Sequence, residues 1–213
     1  DQILKKILKK NNNIIFDIGA NKGQSLTRFE KLFNNTYFYS FEPSFSAFKV
    51  LKSKYGNQSN IKLFNTALGE KKKKKLFYEY ENSELSSFIK INKKFDEKKK
   101  KIFVETDTIY SIFKKNNLKK IDLLKMDTQG YEEPILRGAK NLIINQKIDL
   151  IELEIILGDY YEKSSSFKKI EDILSLGGYR LLALDRRLNI FENKKFYFNA
   201  IYASQNVYKK IFN

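Results

Sequence analysis

The sequence predicts an α/β fold in which a mostly parallel sheet is covered by helices on both faces. Strand-like and helical segments alternate over most of the 213 residues, and this alternation is typical of parallel sheets. The apolar content of 42% and the aromatic content of 15% are those of a folded globular protein. The length suits one domain of ordinary size, so we expect a single domain over residues 1–213.

The first third of the chain supplies three predicted helices and three predicted strands. A basic helix comes before the first strand, and we assign residues 1–12 to this N-terminal segment. Ser44 is a suitable N-cap, because its side chain accepts a hydrogen bond from an unpaired backbone N–H. The predicted helices are Gln2 to Lys10, Gln24 to Phe33 and Ser44 to Lys54, and the predicted strands are Asn13 to Ile18, Tyr37 to Phe41 and Ile61 to Asn65.

The middle of the chain departs from this alternation. Lys75 to Tyr80 and Lys101 to Glu105 are predicted to pair as an edge hairpin around the polar segment "NSELSSF", Asn82 to Phe88. The lysine runs near both strands are typical of solvated loops or of strand edges protected from association. We therefore treat residues 71–105 as a hairpin insertion.

After the insertion the alternation resumes. Two acids and a proline at residues 132–134 are typical of a helix start, and the glycine pair at residues 177–178 is typical of a helix end. The predicted helices are Thr108 to Lys115, one that begins near Tyr131, and Phe167 to Leu176; the predicted strands are Ile121 to Met126, Ile148 to Leu153, Tyr179 to Leu184 and Phe196 to Ala203. With the three earlier strands, this predicts a seven-stranded sheet.

Polar side chains stand where five of the predicted strands end. In sheets of this class the ligand lies beyond the carboxyl ends of the strands, where the strand order changes. One acid at a strand end is ordinary capping, whereas five polar ends in register, four of them acids, indicate a binding site. These residues are Asp17, Glu42, Asn65, Asp127 and Glu154.

The turn after the first strand, "DIGANKGQS", discriminates between the ligands of such folds. Asn21 and Gln24 stand where a dinucleotide site needs further glycines, and the phosphate-binding loop pattern is absent. An acid at the turn suits a cationic ligand without phosphate, such as S-adenosylmethionine, and an acid at the second strand end suits its two ribose hydroxyls. We therefore expect Asp17, Gly19, Gly23 and Glu42 to bind this cofactor.

Several segments together resemble FkbM-type S-adenosylmethionine-dependent methyltransferases. The most specific is "LLKMDTQGYEEPILRGAKNLI", Leu123 to Ile143, which contains a Lys-x-Asp-x-x-Gly-x-Glu pattern. The others are "FDIGANKGQS", "SFEP", "NTALGE" and "IELE", and the match extends from Ile14 to about Ala203. The resemblance implies a Rossmann-like class I methyltransferase fold, and it adds Ala20, Asn21, Pro43, Asn65 and Ala67 to the expected cofactor site.

The resemblance also implies methyl transfer to an oxygen of a sugar, a glycan or another natural product. A hydroxyl acceptor must lose its proton, and the chain contains neither histidine nor cysteine, so the base is an Asp, Glu, Lys or Tyr. Asp127 is the first candidate, followed by Glu132 and Glu154. Lys125 shares a strand face with Asp127 and would orient Asp127 or the substrate. Glu132 suits a helix start equally well.

Two features of the expected site have alternative interpretations. The carboxylates of Asp127, Glu132 and Glu154 would also suit Mg²⁺ as oxygen ligands. The segment "NSELSSF" either lies over the adenine or the substrate, or is an ordinary polar hairpin loop. We assign Ser86, Ser87 and Gln129 to the substrate side of the site.

The net charge of +16 raises the alternative of an RNA-directed methyltransferase with a basic binding surface. Lysine far outnumbers arginine, however, and arginine is the residue favoured for forked phosphate contacts. We therefore expect a small-molecule or glycan partner and no nucleic acid. A catalytically degenerate, Rossmann-like binding protein is the other alternative.

The composition also bears on where the protein works. No apolar run approaches the length of a membrane span, and the absence of cysteine fits a reducing compartment, so we expect a cytoplasmic protein. The chain opens at Asp1 without a methionine, and we expect it to begin inside a longer gene product.

Overall fold

The structure, a computed structural model, describes residues 1–8, 12–95, 98–185, 189–190 and 196–212. Within these residues the strands are β1 (Asn13–Ile18), β2 (Thr36–Phe41), β3 (Ile61–Phe64), β4 (Ala67–Leu68), β5 (Lys73–Tyr80), β6 (Lys99–Asp107), β7 (Ile121–Met126), β8 (Ile148–Leu157), β9 (Arg180–Leu184), β10 (Asn189–Ile190) and β11 (Phe196–Ala203). The helices are α1 (Gln2–Ile7), α2 (Gln24–Leu32), α3 (Phe45–Tyr55), α4 (Ile109–Lys115), α5 (Glu132–Gly138), α6 (Lys140–Ile144), α7 (Phe167–Leu176) and α8 (Gln205–Phe212).

Eight of the described strands form one main sheet, in the order β10-β11-β8-β7-β1-β2-β3 with β9 also paired to β11. The strands β3, β2, β1, β7 and β8 are parallel, whereas β11 is antiparallel to β8. Both β9 and β10 pair with the edge of β11 that faces away from β8, so the eight strands occupy seven positions. The predicted α/β fold with a mostly parallel sheet is confirmed.

Helices cover both faces of the main sheet because successive strand residues point to opposite sides. Ile15 and Leu123 belong to an apolar layer that is shared with α1, α2, α3 and α8. Phe16 and Leu124, one residue further along each strand, belong to a second layer that is shared with α4, α5, α6 and α7. None of the described helices combines the length and the apolar character that crossing a bilayer requires.

The predicted hairpin pairs antiparallel but does not extend the main sheet. Residues of β5 face those of β6 from Lys73 opposite Thr106 to Tyr80 opposite Lys99, and β4 joins β6 in parallel. These three strands form a separate sheet, which corrects the prediction of an edge hairpin. The assignment of residues 71–105 to an insertion in a single domain stays a prediction.

The largest differences from the predicted elements are in β8 and at the end of the chain. β8 continues to Leu157 because β11 pairs with its outer part, so Glu154 lies inside the strand and not at its end. The helix α8 follows β11, where no further element was predicted, and its Val207 packs against the layer that contains Ile15. Residues 9–11, which include the predicted end of the first helix at Lys10, lie outside the described residues.

Candidate active site

A cavity of about 380 Å³ opens at the carboxyl ends of β1, β2, β7 and β8. The strand order changes direction between β1 and β7, which is where ligands bind in open parallel sheets, and the volume is typical of a small-molecule site. The expected site residues that line the cavity are Gly19, Ala20, Asn21, Glu42, Pro43, Ala67, Ser86, Lys125, Asp127, Gln129 and Glu154. Asp17, Gly23, Asn65, Ser87 and Glu132 are placed nearby but do not line it.

The turn between β1 and α2 depends on two glycines with left-handed backbones. At Gly19 (φ +81°) a Cβ would lie 2.0 Å from the carbonyl oxygen of Asp127, so only glycine allows the two strand ends to come this close. At Gly23 (φ +94°) a Cβ would lie 2.4 Å from the Tyr55 ring. Gly19 therefore shapes the cavity, whereas Gly23 allows α2 to pack against α3.

Glu42 forms part of the cavity wall just beyond the end of β2. Its two carboxylate oxygens accept hydrogen bonds from the backbone N–H groups of Asn21 at 2.8 Å and Ser44 at 2.7 Å. Burial raises the pKa of Glu42 from 4.5 to about 7, although both hydrogen bonds oppose the shift. A carboxylate oxygen accepts more than one hydrogen bond, so this arrangement leaves room for the expected contact with ribose.

Asn65 supports the strand end that carries Glu42. Its side-chain amide donates to the backbone carbonyl oxygens of Glu42 at 2.9 Å and Pro43 at 3.3 Å, and the residue is exposed outside the cavity. The expected contact of Asn65 with the cofactor stays a prediction, and the structure gives the side chain a supporting position.

A row of charged side chains crosses three strands beneath the cavity. Asp17, Lys125 and Glu152 are neighbours in the register of β1, β7 and β8, and all three are buried. The ammonium of Lys125 lies 3.6 Å from Asp17 and 3.4 Å from Asp127, and Arg28 pairs with Glu152 at 2.6 Å. Burial alone would lower the pKa of Lys125, but the carboxyl groups of Asp127, Asp17 and Glu152 raise it. Lys125 is therefore a buried cation, and Asp17 faces it rather than the cavity.

Gln129 connects two of the candidate catalytic carboxylates. Its side-chain nitrogen donates to Asp127 Oδ1 at 2.7 Å and to Glu154 Oε2 at 3.0 Å. Its side-chain oxygen lies 3.0 Å from the hydroxyl of Tyr161. Asp127 and Glu154 are thus brought together at the cavity, on adjacent strands. The expected contact between Gln129 and the substrate stays a prediction.

Glu132 is turned toward its own loop. Its Oε1 accepts hydrogen bonds from the hydroxyl and the N–H of Thr128, at 2.8 and 3.1 Å, and from the N–H of Gly130 at 3.3 Å. Burial raises the pKa of Glu132, although the bonds from its own backbone and from Thr128 oppose the shift. This arrangement favours the interpretation in which Glu132 stabilises the start of α5.

The structure gives no support to the Mg²⁺ alternative. Within the part of the chain that the structure describes, no group of three or more acidic side chains is arranged to hold a metal ion. Asp127 and Glu154 share the amide of Gln129, whereas the Glu132 carboxylate is bound by its own loop.

The "NSELSSF" segment, which we call the cover segment (residues 82–88), lies over the turn after β1. Ser83 donates to the side-chain oxygen of Asn21 at 2.9 Å, and Gln24 donates to the carboxylate of Glu84 at 3.0 Å. Ser83, Glu84, Leu85, Ser86 and Phe88 line the cavity. The cover segment is therefore part of the cavity wall, and its first half is fastened to the expected cofactor turn.

The second half of the cover segment is fastened to the loop after β7. Ser87 is buried, and its hydroxyl donates to the backbone carbonyl oxygen of Gln129 at 2.9 Å. The hydroxyl of Tyr161 lies 2.9 Å from the carbonyl oxygen of Leu85. Ser87 thus holds the segment in place from outside the cavity, whereas Ser86 lines it, and both assignments to the substrate stay predictions.

Aromatic residues that the sequence analysis did not assign form two walls of the cavity. The Phe88 ring packs against Phe77 and Tyr131, with centroids 5.2 and 4.6 Å apart. Tyr160 and Tyr197 also line the cavity. Their positions in the chain could have indicated this role. Tyr160 follows shortly after β8, and Tyr197 lies at the start of β11, the strand paired with β8.

The fold is that of the S-adenosylmethionine-dependent methyltransferases. Its defining features are the order of the strands and the antiparallel β11, and Glu42 lies beside the turn after β1. Aeropyrum pernix fibrillarin in complex with S-adenosylmethionine has this fold, with a TM-score of 0.53 and 13% identity over 93% of this chain and 74% of that one. Magnesium protoporphyrin IX methyltransferase from Synechocystis has a TM-score of 0.52 and 9% identity over 96% and 77%. These identities establish a common fold alone.

The sequence identifies the family within this class. It matches the methyltransferase FkbM domain over residues 17–181, and the chain belongs to this family. It is 27% identical over 183 residues to the 2-O-methyltransferase NoeI of Sinorhizobium fredii. The alignment covers 79% of this chain and 73% of NoeI. The protein is an S-adenosylmethionine-dependent methyltransferase, which confirms the resemblance and the predicted enzyme class.

Proposed function

We propose that this methyltransferase transfers a methyl group to a hydroxyl oxygen of a sugar or glycan. The observation that carries the proposal is that carboxylates and aromatic rings line the same cavity, namely Asp127, Glu154, Tyr160 and Tyr197. Carboxylates accept hydrogen bonds from hydroxyls, and the faces of aromatic rings pack against the C–H faces of a sugar. The name of the relative NoeI, a 2-O-methyltransferase, supports oxygen as the acceptor atom.

The remaining lining of the cavity fits the cofactor. Glu42 would accept the ribose hydroxyls, and the turn at residues 19–21 would bound the molecule on one side. The wall of Phe77, Phe88 and Tyr131 suits a flat ring such as adenine. When bound, S-adenosylmethionine supplies a methyl group on a positively charged sulfur, and the carbon–sulfur bond breaks as the acceptor oxygen bonds to the methyl carbon.

In this proposal Asp127 takes the proton of the acceptor hydroxyl. Its carboxylate lines the cavity, and its two oxygens are oriented by Gln129 at 2.7 Å and by Lys125 at 3.4 Å. An ionised carboxylate that accepts these bonds still has acceptor sites for a hydroxyl. Glu154, held through the same amide, would bind another polar group of the acceptor.

The proposal is tested by supplying the purified protein with S-adenosylmethionine and a panel of glycans. We expect mass spectrometry to show the gain of a methyl group, and linkage analysis to place that group on a hydroxyl oxygen. Transfer to RNA, or to nitrogen or carbon, with no transfer to any glycan would contradict the proposal.

A cofactor-binding control makes a negative result interpretable. Glu42→Ala removes a charged acceptor whose hydrogen bonds are worth about 1.5–3 kcal/mol, so affinity for S-adenosylhomocysteine should fall roughly 10- to 100-fold. Calorimetry on the wild type and this variant measures the change. Unchanged affinity in a folded variant would remove Glu42 from the cofactor site without bearing on the acceptor.

A further inference from the structure

Gln129 is buried at the centre of the proposed acceptor site, with only 6% of its surface exposed. Its backbone is left-handed at φ +56°, a conformation that L-residues adopt infrequently. The hydroxyl of Ser87 holds the carbonyl oxygen of this residue at 2.9 Å. The backbone is therefore fixed in the conformation that aims the side chain between Asp127 and Glu154.

We propose that Gln129 is a positioning residue, which holds Asp127 and Glu154 at a fixed separation so that both carboxylates face one acceptor molecule. The inference rests on the proposed function in taking Asp127 as the group that receives the acceptor proton. We call the hydrogen bonds from Gln129 to Asp127 and Glu154 the bridge. The bridge is a property of the protein and is testable without an acceptor.

The bridge follows from the two hydrogen bonds of one nitrogen. The nitrogen of Gln129 carries two hydrogens, and it lies 2.7 Å from Asp127 Oδ1 and 3.0 Å from Glu154 Oε2. Two carboxylates this close repel one another, and one N–H directed at each offsets that repulsion. Without the amide, the repulsion would move the two side chains apart.

The orientation of the amide is fixed at its other end. Turning the amide over would place its oxygen against two carboxylates, which have no hydrogen to offer when ionised. The hydroxyl of Tyr161 lies 3.0 Å from the amide oxygen. Burial raises the pKa of Tyr161 well above its usual value, so the hydroxyl keeps the proton that it shares between Gln129 and the carbonyl of Leu85.

These contacts distinguish positioning from direct substrate binding. Both hydrogens of the Gln129 amide are directed at carboxylates, and its oxygen faces Tyr161. The amide nitrogen of Gln129 therefore acts on an acceptor through Asp127 and Glu154. Since reacting groups must be held within a fraction of an ångström for full rate, losing the bridge should reduce turnover more than binding of the cofactor.

The bridge is tested by NMR of the side-chain amide signals of Gln129. The two hydrogens on its nitrogen give separate signals, and we expect both to exchange slowly with water. Asp127→Ala should shift and expose one of them, and Glu154→Ala should shift and expose the other. If both variants perturb the same hydrogen, or neither perturbs any, the bridge does not exist.

Gln146 provides a matched control on the same protein. It also has a left-handed backbone, at φ +52°, and its side chain bonds the backbone of Gly177 and Gln205. It precedes the first residue of β8, whereas Glu154 lies in the second half of that strand, so the two residues are at opposite ends of β8. Its signals should be unchanged in every folded variant, and Asp127→Ser and Glu154→Ser replace the alanine variants if those fail this check.

A kinetic experiment tests the consequence for catalysis. Gln129→Leu keeps a side chain of similar size without either donor, and kcat for the glycan acceptor should fall about tenfold or more. The Kd for S-adenosylhomocysteine should stay within about threefold of the wild type, and Gln146→Leu should leave kcat unchanged. A loss of cofactor affinity with normal kcat would overturn the positioning role. If the wild type methylates no hydroxyl, the proposed function fails, whereas the NMR result still decides the bridge.

Discussion

At the scale of single residues, the titration of Glu42 should be visible in the stability of the whole protein. Burial raises its pKa in the folded state from 4.5 to about 7. The folded protein therefore binds this proton more tightly than the unfolded chain does, so the contribution of Glu42 to stability decreases as the pH rises from about 4.5 to about 7. Above that window the group is ionised in both states and the loss is complete.

This pH dependence should disappear when the carboxyl group is removed. We expect the Tm of Glu42→Gln to lie further below the wild-type Tm at pH 5 than at pH 8. The reason is that only the wild type carries the Glu42 carboxyl, whose contribution to stability decreases between these values. Asp17 and Glu132 remain in both proteins, so their titration cancels in the difference. Thermal unfolding at the two pH values measures it, and a constant difference in Tm would show that Glu42 is not the titrating group.

A variant of Asp127 distinguishes a role in proton transfer from a role in cofactor binding. Asp127→Asn keeps the shape of the side chain but removes its charge and basicity, so turnover should fall by about 10²-fold or more. Affinity for S-adenosylhomocysteine should change little, because we expect Glu42 and the turn at Gly19 to supply most of the cofactor binding. Initial rates and calorimetry give the two quantities. Normal turnover with collapsed affinity would make Asp127 a cofactor ligand and move the base to Glu154.

At the scale of elements, Gly19 determines how closely β1 approaches the loop after β7. Gly19→Ala combines a left-handed backbone with a Cβ placed 2.0 Å from the carbonyl oxygen of Asp127. Gly158→Ala is the matched control, since its φ is +77° and nothing lies within 4 Å of the added Cβ. The control should cost about 1–2 kcal/mol, or roughly 2–8 °C in Tm, and Gly19→Ala should cost clearly more. Equal shifts in thermal unfolding would show that backbone strain alone matters at Gly19.

The elements were predictable where apolar residues dominate a strand, as in β7, or recur at helical spacing, as in α7. The observed bounds of these two elements match the predicted ones. The extension of β8 to Leu157 was not predictable, because it depends on pairing with β11. That strand is distant in the sequence, since Asn199 is the partner of Glu154. The site was predictable to the level of strand ends. The direction of each side chain was not, since Glu132 and Ser87 are turned by bonds to a loop whose conformation the sequence pattern does not specify.

At the scale of the whole molecule, two runs of lysine that contribute to the positive charge lie apart from one another. The lysines at residues 71–75 and 98–101 lie at opposite ends of the pairing between β5 and β6, since Lys73 faces Thr106 and Lys99 faces Tyr80. Such a distribution attracts any polyanion weakly. We expect labelled RNA of unrelated sequences to bind alike at low salt, and fluorescence anisotropy to show the binding lost near about 0.15 M salt. Sequence-selective binding that survives this salt concentration would favour an RNA substrate.

The row formed by Asp17, Lys125, Glu152 and Arg28 has a consequence for how descendants of this protein diverge. Each member is partnered by a neighbour on another strand or helix, and losing one partner of a buried ion pair costs about 3–5 kcal/mol. That is a large part of the 5–15 kcal/mol that keeps a typical domain folded. We therefore expect a lineage to change Asp17 and Lys125 together rather than singly, because a replacement that removes both charges leaves no unpaired charge buried. The acid at the end of β1 is thereby subject to a requirement of folding that is independent of methyl transfer.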